Sequence, residues 1–433
     1  MRMRGGADCR EGRLMINGRY GSDLAEEFGT PLYVYNENTI RVQCTAILEA
    51  LKAYPGKSGA FFASKAFPNI AVNKVVHQVG IGIDVSSHGE LCVALKAGIP
   101  GRDIIVEGAM KKDAYIEAAV TCDARLIVID AMSEIDRVES IAAKQGKTVD
   151  VLIRVNPGVE AETHKAVRTA NLDTKFGIPL LEGMARRAVD KASKQPHLRM
   201  RGIHCHVGSQ VFKMDVYDVA SGMLLDFMKE AESVGIKMDI LDLGGGFGAW
   251  YSRGDTPMQM VESVQMVTQA VQGHCARLKM DLPELMIEPG RSIVAESAVA
   301  LYTVEAVKEI PGVNTYLVTD GGLFENPRPH LYGSKYTAYL VNRVDAKAER
   351  YYTVAGSSCE SDTIIPRVKL PLVREGDLLA IPSAGAYQLA MAGNYNRMPK
   401  PAAVLVNDSR VALIARRQTF DEVLANEEVP ADL

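Results

Sequence analysis

Eight short apolar runs recur between residues 59 and 288, and their spacing constrains the fold more than any other feature of the chain. They are 59–64 (GAFFAS), 81–86 (IGIDVS), 103–108 (DIIVEG), 124–130 (ARLIVID), 149–156 (VDVLIRVN), 200–206 (MRGIHCH), 240–243 (ILDL) and 284–288 (ELMIE). Runs this short and this apolar suit strands buried on both faces, as in parallel sheets. The stretches between them carry helical spacing, as at Leu91 and Leu95 with Gly98 as a stop. Strand and helix alternating eight times over about 230 residues predict an α/β chain with a (β/α)8 TIM barrel rather than an open sheet.

The texture changes after residue 292. AVALYTVEAVKEI (298–310), NTYLVTDGG (314–322), RYYTVAGS (350–357), GDLLAIPSAGAY (376–387) and AAVLVND (402–408) are β-rich and separated by turn residues. They predict a C-terminal all-β domain of Greek-key or β-barrel type over 293–433. The barrel is then expected over 36–292, and residues 1–35 share the β texture and join the second domain. Within them, residues 13–35 read as strand, short helix and strand. Asp23 is the expected N-cap, with Glu26 three residues on, and Gly29 followed by Pro31 ends the helix. The acidic tail EVLANEEVPADL (422–433) is expected to be loosely held.

Charge excludes some functions. The chain has 49 basic and 53 acidic residues, a net charge of −4, without long runs of either sign. Binding nucleic acid needs a concentrated basic surface, which this pattern does not supply. No apolar stretch approaches the roughly 18 residues that span a bilayer. The basic start, MRMRGGADCREGRL, lacks the apolar run of a secretory signal. Seven cysteines, scattered and without a CxxC pair, argue against a disulfide framework or a structural zinc site and point to the cytoplasm.

Polar residues gather at the C-terminal ends of the predicted strands, where barrels of this kind place their active sites. The first strand ends in Ser64-Lys65, the second carries Asp84 and Ser86, and the fifth carries Arg154. The sixth ends in His204-Cys205-His206-Val207-Gly208-Ser209, the seventh in Gly244-Gly245-Gly246, and the eighth in Glu288-Pro289-Gly290-Arg291. A lysine ending an apolar strand reads either as a snorkelling surface residue or as a partly desolvated amine able to form a Schiff base. Three glycines read either as a flexible turn or as a backbone cradle for phosphate, to which Ser209 adds a hydroxyl. Strand alternation puts His204 and His206 on one face. A metal pair, a packed structural histidine and an imidazole lying against a flat cofactor all remain open. Metal is the weakest reading, because barrels that use a His-x-His pair carry it on the first strand with further histidines later. Glu288 and Arg291 read as a surface salt pair, or as groups facing a heterocyclic nitrogen and an anion. In the β domain, GSSCESD sets Cys359 beside Glu360 and Asp362, a setting that suits a proton donor better than a nucleophile.

FFASKAF around Lys65, HCHVGSQ (204–210), DLGGGFG (242–248), EPGRS (288–292), RPHLYG (328–333), CESD (359–362), GAY (385–387) and NYNR (394–397) occur in that order. Together with VNPGVEAETHKAVRTANLDTKFGI (155–178), they closely resemble the fold-type III pyridoxal-phosphate decarboxylases from about residue 22 to 420. The resemblance implies that Lys65 carries pyridoxal 5′-phosphate as a Schiff base and that His206 stacks on its ring. It also implies that Glu288 faces the pyridine nitrogen, and that Ser209, Gly246, the 288–291 turn and Tyr387 hold the phosphate. Asp84, Arg154, Gly245, Gly290 and Arg291 complete the implied cofactor contacts. Arg291, Arg328, Tyr332, Glu360 and Tyr387 would hold the substrate's remote end, and Cys359 would reprotonate the carbon that loses CO2. The implied unit is a homodimer whose sites are shared across the interface. A charge-assisted hydrogen bond is worth about 1.5–3 kcal/mol, roughly 10- to 100-fold in binding. Arginines awaiting a second carboxylate therefore favour meso-2,6-diaminopimelate, which would yield L-lysine, over ornithine, arginine or a related amino acid. Three segments depart from the family's usual wording, one of them THKAVRTAN (163–171), which lacks the common tyrosine-isoleucine pair. GLFENPRPHLYG stands where methionine-asparagine-aspartate is usual, and no glycine separates Ser361 from Asp362.

Overall fold

The computed structural model describes residues 7–159 and 173–433. The part of the 155–178 segment from 160 to 172 lies outside the described residues. Two compact units form: one from Arg41–Gly248 and Thr256–Ile293, the other from residues up to Ile40, Ala249–Asp255 and Val294–Leu433.

The first unit is a closed parallel barrel. Its strands are β1 (Ser58–Ala63), β2 (Gly82–Val85), β3 (Ile104–Val106), β4 (Leu126–Ile129), β5 (Val149–Asn156), β6 (Leu198–His204), β7 (Ile240–Asp242) and β8 (Glu284–Ile287). They pair in sequence order, and Leu285–Ile287 against Ser58–Ala60 closes the ring. Phe61, Ile105, Leu126, Val128, Leu152, Ile240 and Met286 fill the interior. Because these side chains plug the barrel, the ends of the strands are where polar groups can gather. Local sequence sets the helix starts between strands: Asn69 accepts from the amides of Ala71 and Val72 to cap Ile70–Val79, and Ser87 caps His88–Lys96 through Glu90. Beside β3 lies a buried ion pair, in which Lys111 Nζ sits 3.1 Å from both oxygens of Glu134 and donates to the Gly108 carbonyl at 3.0 Å. Glu134 also accepts from the Asp130 amide at 2.8 Å.

The second unit is built on a sheet that joins both ends of the chain. The strand Leu32–Asn36 lies between Ala298–Ile310, antiparallel, and Ala402–Val406, parallel. Leu32, Val34, Val299, Leu301 and Val404 form its core with Leu14, Ile16 and Leu24 from the N-terminal hairpin and helix. The helix Gly21–Phe28 begins earlier than expected. Its N-cap is Tyr20, which makes no side-chain cap bond, so Asp23 lies inside the first turn and is not the cap. The strand Arg19–Tyr20 runs straight into the helix and moves its start. Asp23 accepts instead from Arg13 at 3.1 Å and Ser22 at 3.0 Å, where its charge also complements the helix dipole. The exposed tail starts with a capped helix, Phe420–Leu424, in which Thr419 and Glu422 form a capping box. Glu422 and Glu427 pair with Arg416 and Arg397. No helix among the described residues is long and apolar enough to cross a membrane.

Candidate active site

Lys65 sits in the turn Ser64–Ala66 that follows β1, with about a third of its side chain exposed. Its Nζ lies 3.3 Å from Asp84 Oδ2 at the end of β2 and 3.8 Å from Glu107 Oε2 just past β3. The two carboxyls are not equivalent. Burial and then the charge of Glu107 push Asp84 well above the usual carboxylate range. Burial alone would raise Glu107 too, but the charge and hydrogen bond of His204, with Lys65 beyond, hold it well below. The charged partner of Lys65 is therefore Glu107, a residue the sequence reading did not single out. The signal was available: an acid ending an apolar strand, as at Asp84 and Glu288.

The two histidines at and just past the end of β6 carry different charge states. His204 is fully buried, with Nε2 at 2.8 Å from Glu107 Oε1 and 3.3 Å from Glu288 Oε2. Burial would lower its pKa, but Glu107 and then Glu288 raise it well above the ordinary value, so it is an imidazolium. His206 is held neutral, because burial, Lys65 and Arg154 all lower its pKa. The Gly245 amide donates to His206 Nδ1 at 3.2 Å, which leaves the ring's hydrogen on Nε2. That amide therefore orients the imidazole.

The turns after β6, β7 and β8 meet backbone to backbone. A Cβ on Gly245 would lie 2.0 Å from the Glu288 carbonyl, and one on Gly246, where φ is +108°, would lie 2.3 Å from that of Gly208. No side chain fits there, so the triple glycine is a consequence of three turns converging. Gly290 packs closely against Ala63, whose Cβ and carbonyl oxygen would each lie 2.9 Å from a Cβ there. Arg291, buried at the start of the helix Arg291–Val294, donates to Ser209 Oγ at 2.8 Å. Arg154 is buried on β5, 3.5 Å from Asp130 and over the Phe176 ring at 4.8 Å. The barrel unit thus brings together Lys65, Asp84, Arg154, His206, Ser209, Gly245, Gly246, Glu288, Gly290 and Arg291 on the ends of its strands.

The other expected residues lie in the β unit. Cys359 is exposed, and its amide donates to Asn396 Oδ1 at 2.9 Å; Glu360 accepts from the Tyr395 hydroxyl at 2.7 Å. Asp362 is turned away to the backbone, accepting from Leu323 at 2.8 Å and Ser358 at 3.3 Å, and so ties two loops together. Tyr332 ends the short helix Arg328–Tyr332, and Tyr387 is half-buried with φ +59°. Arg328 is buried between Tyr251, whose ring centre is 4.5 Å from the guanidinium carbon, and Tyr336, whose hydroxyl accepts at 2.7 Å. Its Nε has no hydrogen-bond partner among the described residues, and none of their carboxylates pairs with it.

Glu325 belongs to the unusual 321–333 loop and is fully buried. It accepts from Tyr33, from Tyr302 at 2.8 Å and from the Gly322 amide at 3.1 Å. Burial nevertheless outweighs these bonds and pushes its pKa from the model-peptide 4.5 up to about 7. A raised folded-state pKa stabilises the fold below about 4.5, and that contribution disappears as pH rises to about 7, a span of about 3 kcal/mol. Urea midpoints measured from pH 5 to 8 should fall with rising pH in the wild type, and this part of the slope should be absent in Glu325→Gln.

Residues 37–295 match the pyridoxal binding domain of the pyridoxal-dependent decarboxylases. The diaminopimelate decarboxylase of Bacillus subtilis is 38% identical over 96% of this chain and 95% of its own. That of Staphylococcus aureus is 40% identical over 96% and 98%. The chain belongs to the diaminopimelate decarboxylase family. A crystal structure of the M. jannaschii diaminopimelate decarboxylase in complex with L-lysine superposes with a TM-score of 0.93 at 31% identity, covering all of both chains.

Diaminopimelate decarboxylases are carboxy-lyases that use pyridoxal phosphate, and the barrel unit fits that group. An amine with a charged carboxylate partner, a neutral imidazole and a glycine cradle with an arginine beside it converge on one rim. Glu288 Oε1 is buried without a hydrogen-bond partner among the described residues, an acceptor whose burial calls for a donor such as a pyridinium N–H.

Proposed function

We propose that the chain decarboxylates meso-2,6-diaminopimelate to L-lysine, with pyridoxal phosphate held by Lys65. The observation that carries this reading is the amine of Lys65, with about a third of its side chain exposed, facing Glu107 at the rim of a barrel in a chain that matches diaminopimelate decarboxylases over 96% of its length. Bound pyridoxal phosphate supplies an electron sink for the bonding pair left behind when CO2 departs. The protein's part is to bind, orient and move protons. Lys65 Nζ is the attachment point, and Glu107 and Asp84 hold it in place. His206 would face the group as a neutral imidazole, and Glu288 Oε1 would accept from its pyridine nitrogen. Ser209, Arg291, the Gly246 backbone, the Gly290 turn and the Tyr387 hydroxyl would bind the phosphate, with Gly245 and Arg154 fixing the surrounding side chains. Cys359 delivers the proton to the α-carbon. In this reading the working unit is a homodimer, each site taking Cys359 from the other subunit.

Arg328 favours a substrate with a second carboxylate. A buried guanidinium set between Tyr251 and Tyr336, with its Nε lacking a partner among the described residues, is incompletely compensated, and a carboxylate supplies both charge and a fork of acceptors. Tyr332, Glu360 and Arg291 would bind beside it. Free thiols at all seven cysteines fit a reducing compartment, the cytoplasm.

Release of CO2 from diaminopimelate, lysine, ornithine and arginine tests the assignment. Diaminopimelate should be turned over with at least tenfold higher kcat/KM than the others, and Arg328→Met should raise its KM roughly 10- to 100-fold. No turnover of diaminopimelate would sink the reading.

A further inference from the structure

Glu288 gives only one of its oxygens to a neighbour. Oε2 lies 3.3 Å from His204 Nε2, whereas Oε1 is buried without a hydrogen-bond partner among the described residues. The same Nε2 lies 2.8 Å from Glu107 Oε1, and the other oxygen of Glu107 is 3.8 Å from Lys65 Nζ. A line of alternating charge, Lys65–Glu107–His204–Glu288, therefore runs across the rim from the end of β1 to the end of β8.

We propose that His204 is a positioning residue: it clamps Glu288 through Oε2 so that Oε1 is presented to the pyridine nitrogen of pyridoxal phosphate, and Glu107 holds His204 in place. This rests on the barrel unit being the pyridoxal site, as read above. Two carboxylates this close, both buried, repel each other and pay heavily for lost hydration; a cation between them removes the repulsion. Other charged or titratable groups around the cluster include Asp84, Glu90, Tyr115, Arg154, Cys205, His206 and Asp242. His204 Nε2 is the group placed against Glu288 Oε2, at 3.3 Å, so the imidazole fixes the carboxylate's rotation. The oxygens and Nε2 lie within 4.8 Å of one another, compact enough for a metal ion as well, and the experiment separates the two occupants.

The full chain, stripped of cofactor with hydroxylamine, is titrated with pyridoxal 5′-phosphate and with its 1-deaza analogue, in which C–H replaces the ring nitrogen. The wild type should bind the natural cofactor at least about tenfold more tightly than the analogue, the worth of a charge-assisted hydrogen bond. His204→Asn should bring that ratio towards one, as Glu288→Gln should, while binding of the analogue stays near wild type; Glu107→Gln, a variant of unchanged shape, should also bring the ratio towards one, although its place beside Lys65 lets it weaken both ligands. Equal weakening of both ligands, or an unchanged ratio, overturns the proposal, as does one equivalent of bound zinc that His204→Asn loses. If the wild type binds neither ligand, the pyridoxal reading itself fails.

Discussion

Mixing Lys65→Ala and Cys359→Ala chains should restore decarboxylation that neither variant performs alone. Lys65→Ala removes the attachment point, so the protein should lose both turnover and the yellow colour that borohydride bleaches in the wild type. Cys359→Ala should keep the colour and lose about 10²- to 10⁴-fold in kcat, the usual worth of a positioned proton donor. Lys65 belongs to the barrel unit, and Cys359 is an exposed residue of the β unit. If a twofold dimer takes one residue from each subunit, every mixed dimer has one site with both residues intact and one with neither. Equal amounts of the two chains, refolded together, should then reach about a quarter of wild-type activity. Activity no greater than the sum of the separate variants would show that each site is built from one chain.

The second large effect is on stability. Lys111→Met should destabilise the barrel unit by about 3–5 kcal/mol, because it strands the buried Glu134 carboxylate without its cation. Lys111 is wholly buried and Glu134 nearly so, and the lysine also holds the Gly108 carbonyl in the loop that follows Glu107. The double variant Lys111→Met, Glu134→Leu should recover most of the loss, since an apolar pair of similar volume has no charge to desolvate. Urea midpoints of the three proteins measure this. Equal midpoints for both variants would mean that the Glu134 bond to the Asp130 amide, rather than the ion pair, carries the energy.

The barrel was legible in the sequence because each of its strands is buried on both faces and reads as a compact apolar run. The rim residues were legible for the complementary reason: Lys65, Asp84, Arg154 and Glu288 interrupt such runs at their ends, where burial of a charged group needs a cause. Glu107 follows the same rule, but the strand before it, Ile104–Val106, has only three residues and gives a weak frame. Asp23 was misplaced because a capping box in sequence carries no information about a strand that runs directly into the helix. Arg328 was legible as a candidate site residue, whereas Tyr251 was not, since its place beside Arg328 comes from a segment 77 residues away in the chain.

The sequence by itself determined the alternation of strand and helix, the residues at the strand ends and, through the order of its motifs, the family. Periodicity and composition are local, and these conclusions need nothing more. Which carboxyl carries the charge beside Lys65, why His204 is protonated while His206 is not, and which oxygen of Glu288 stays available were decided only by the tertiary structure. Those properties depend on distances between groups brought together by closing the barrel, and on burial that no single strand possesses before the ring is complete.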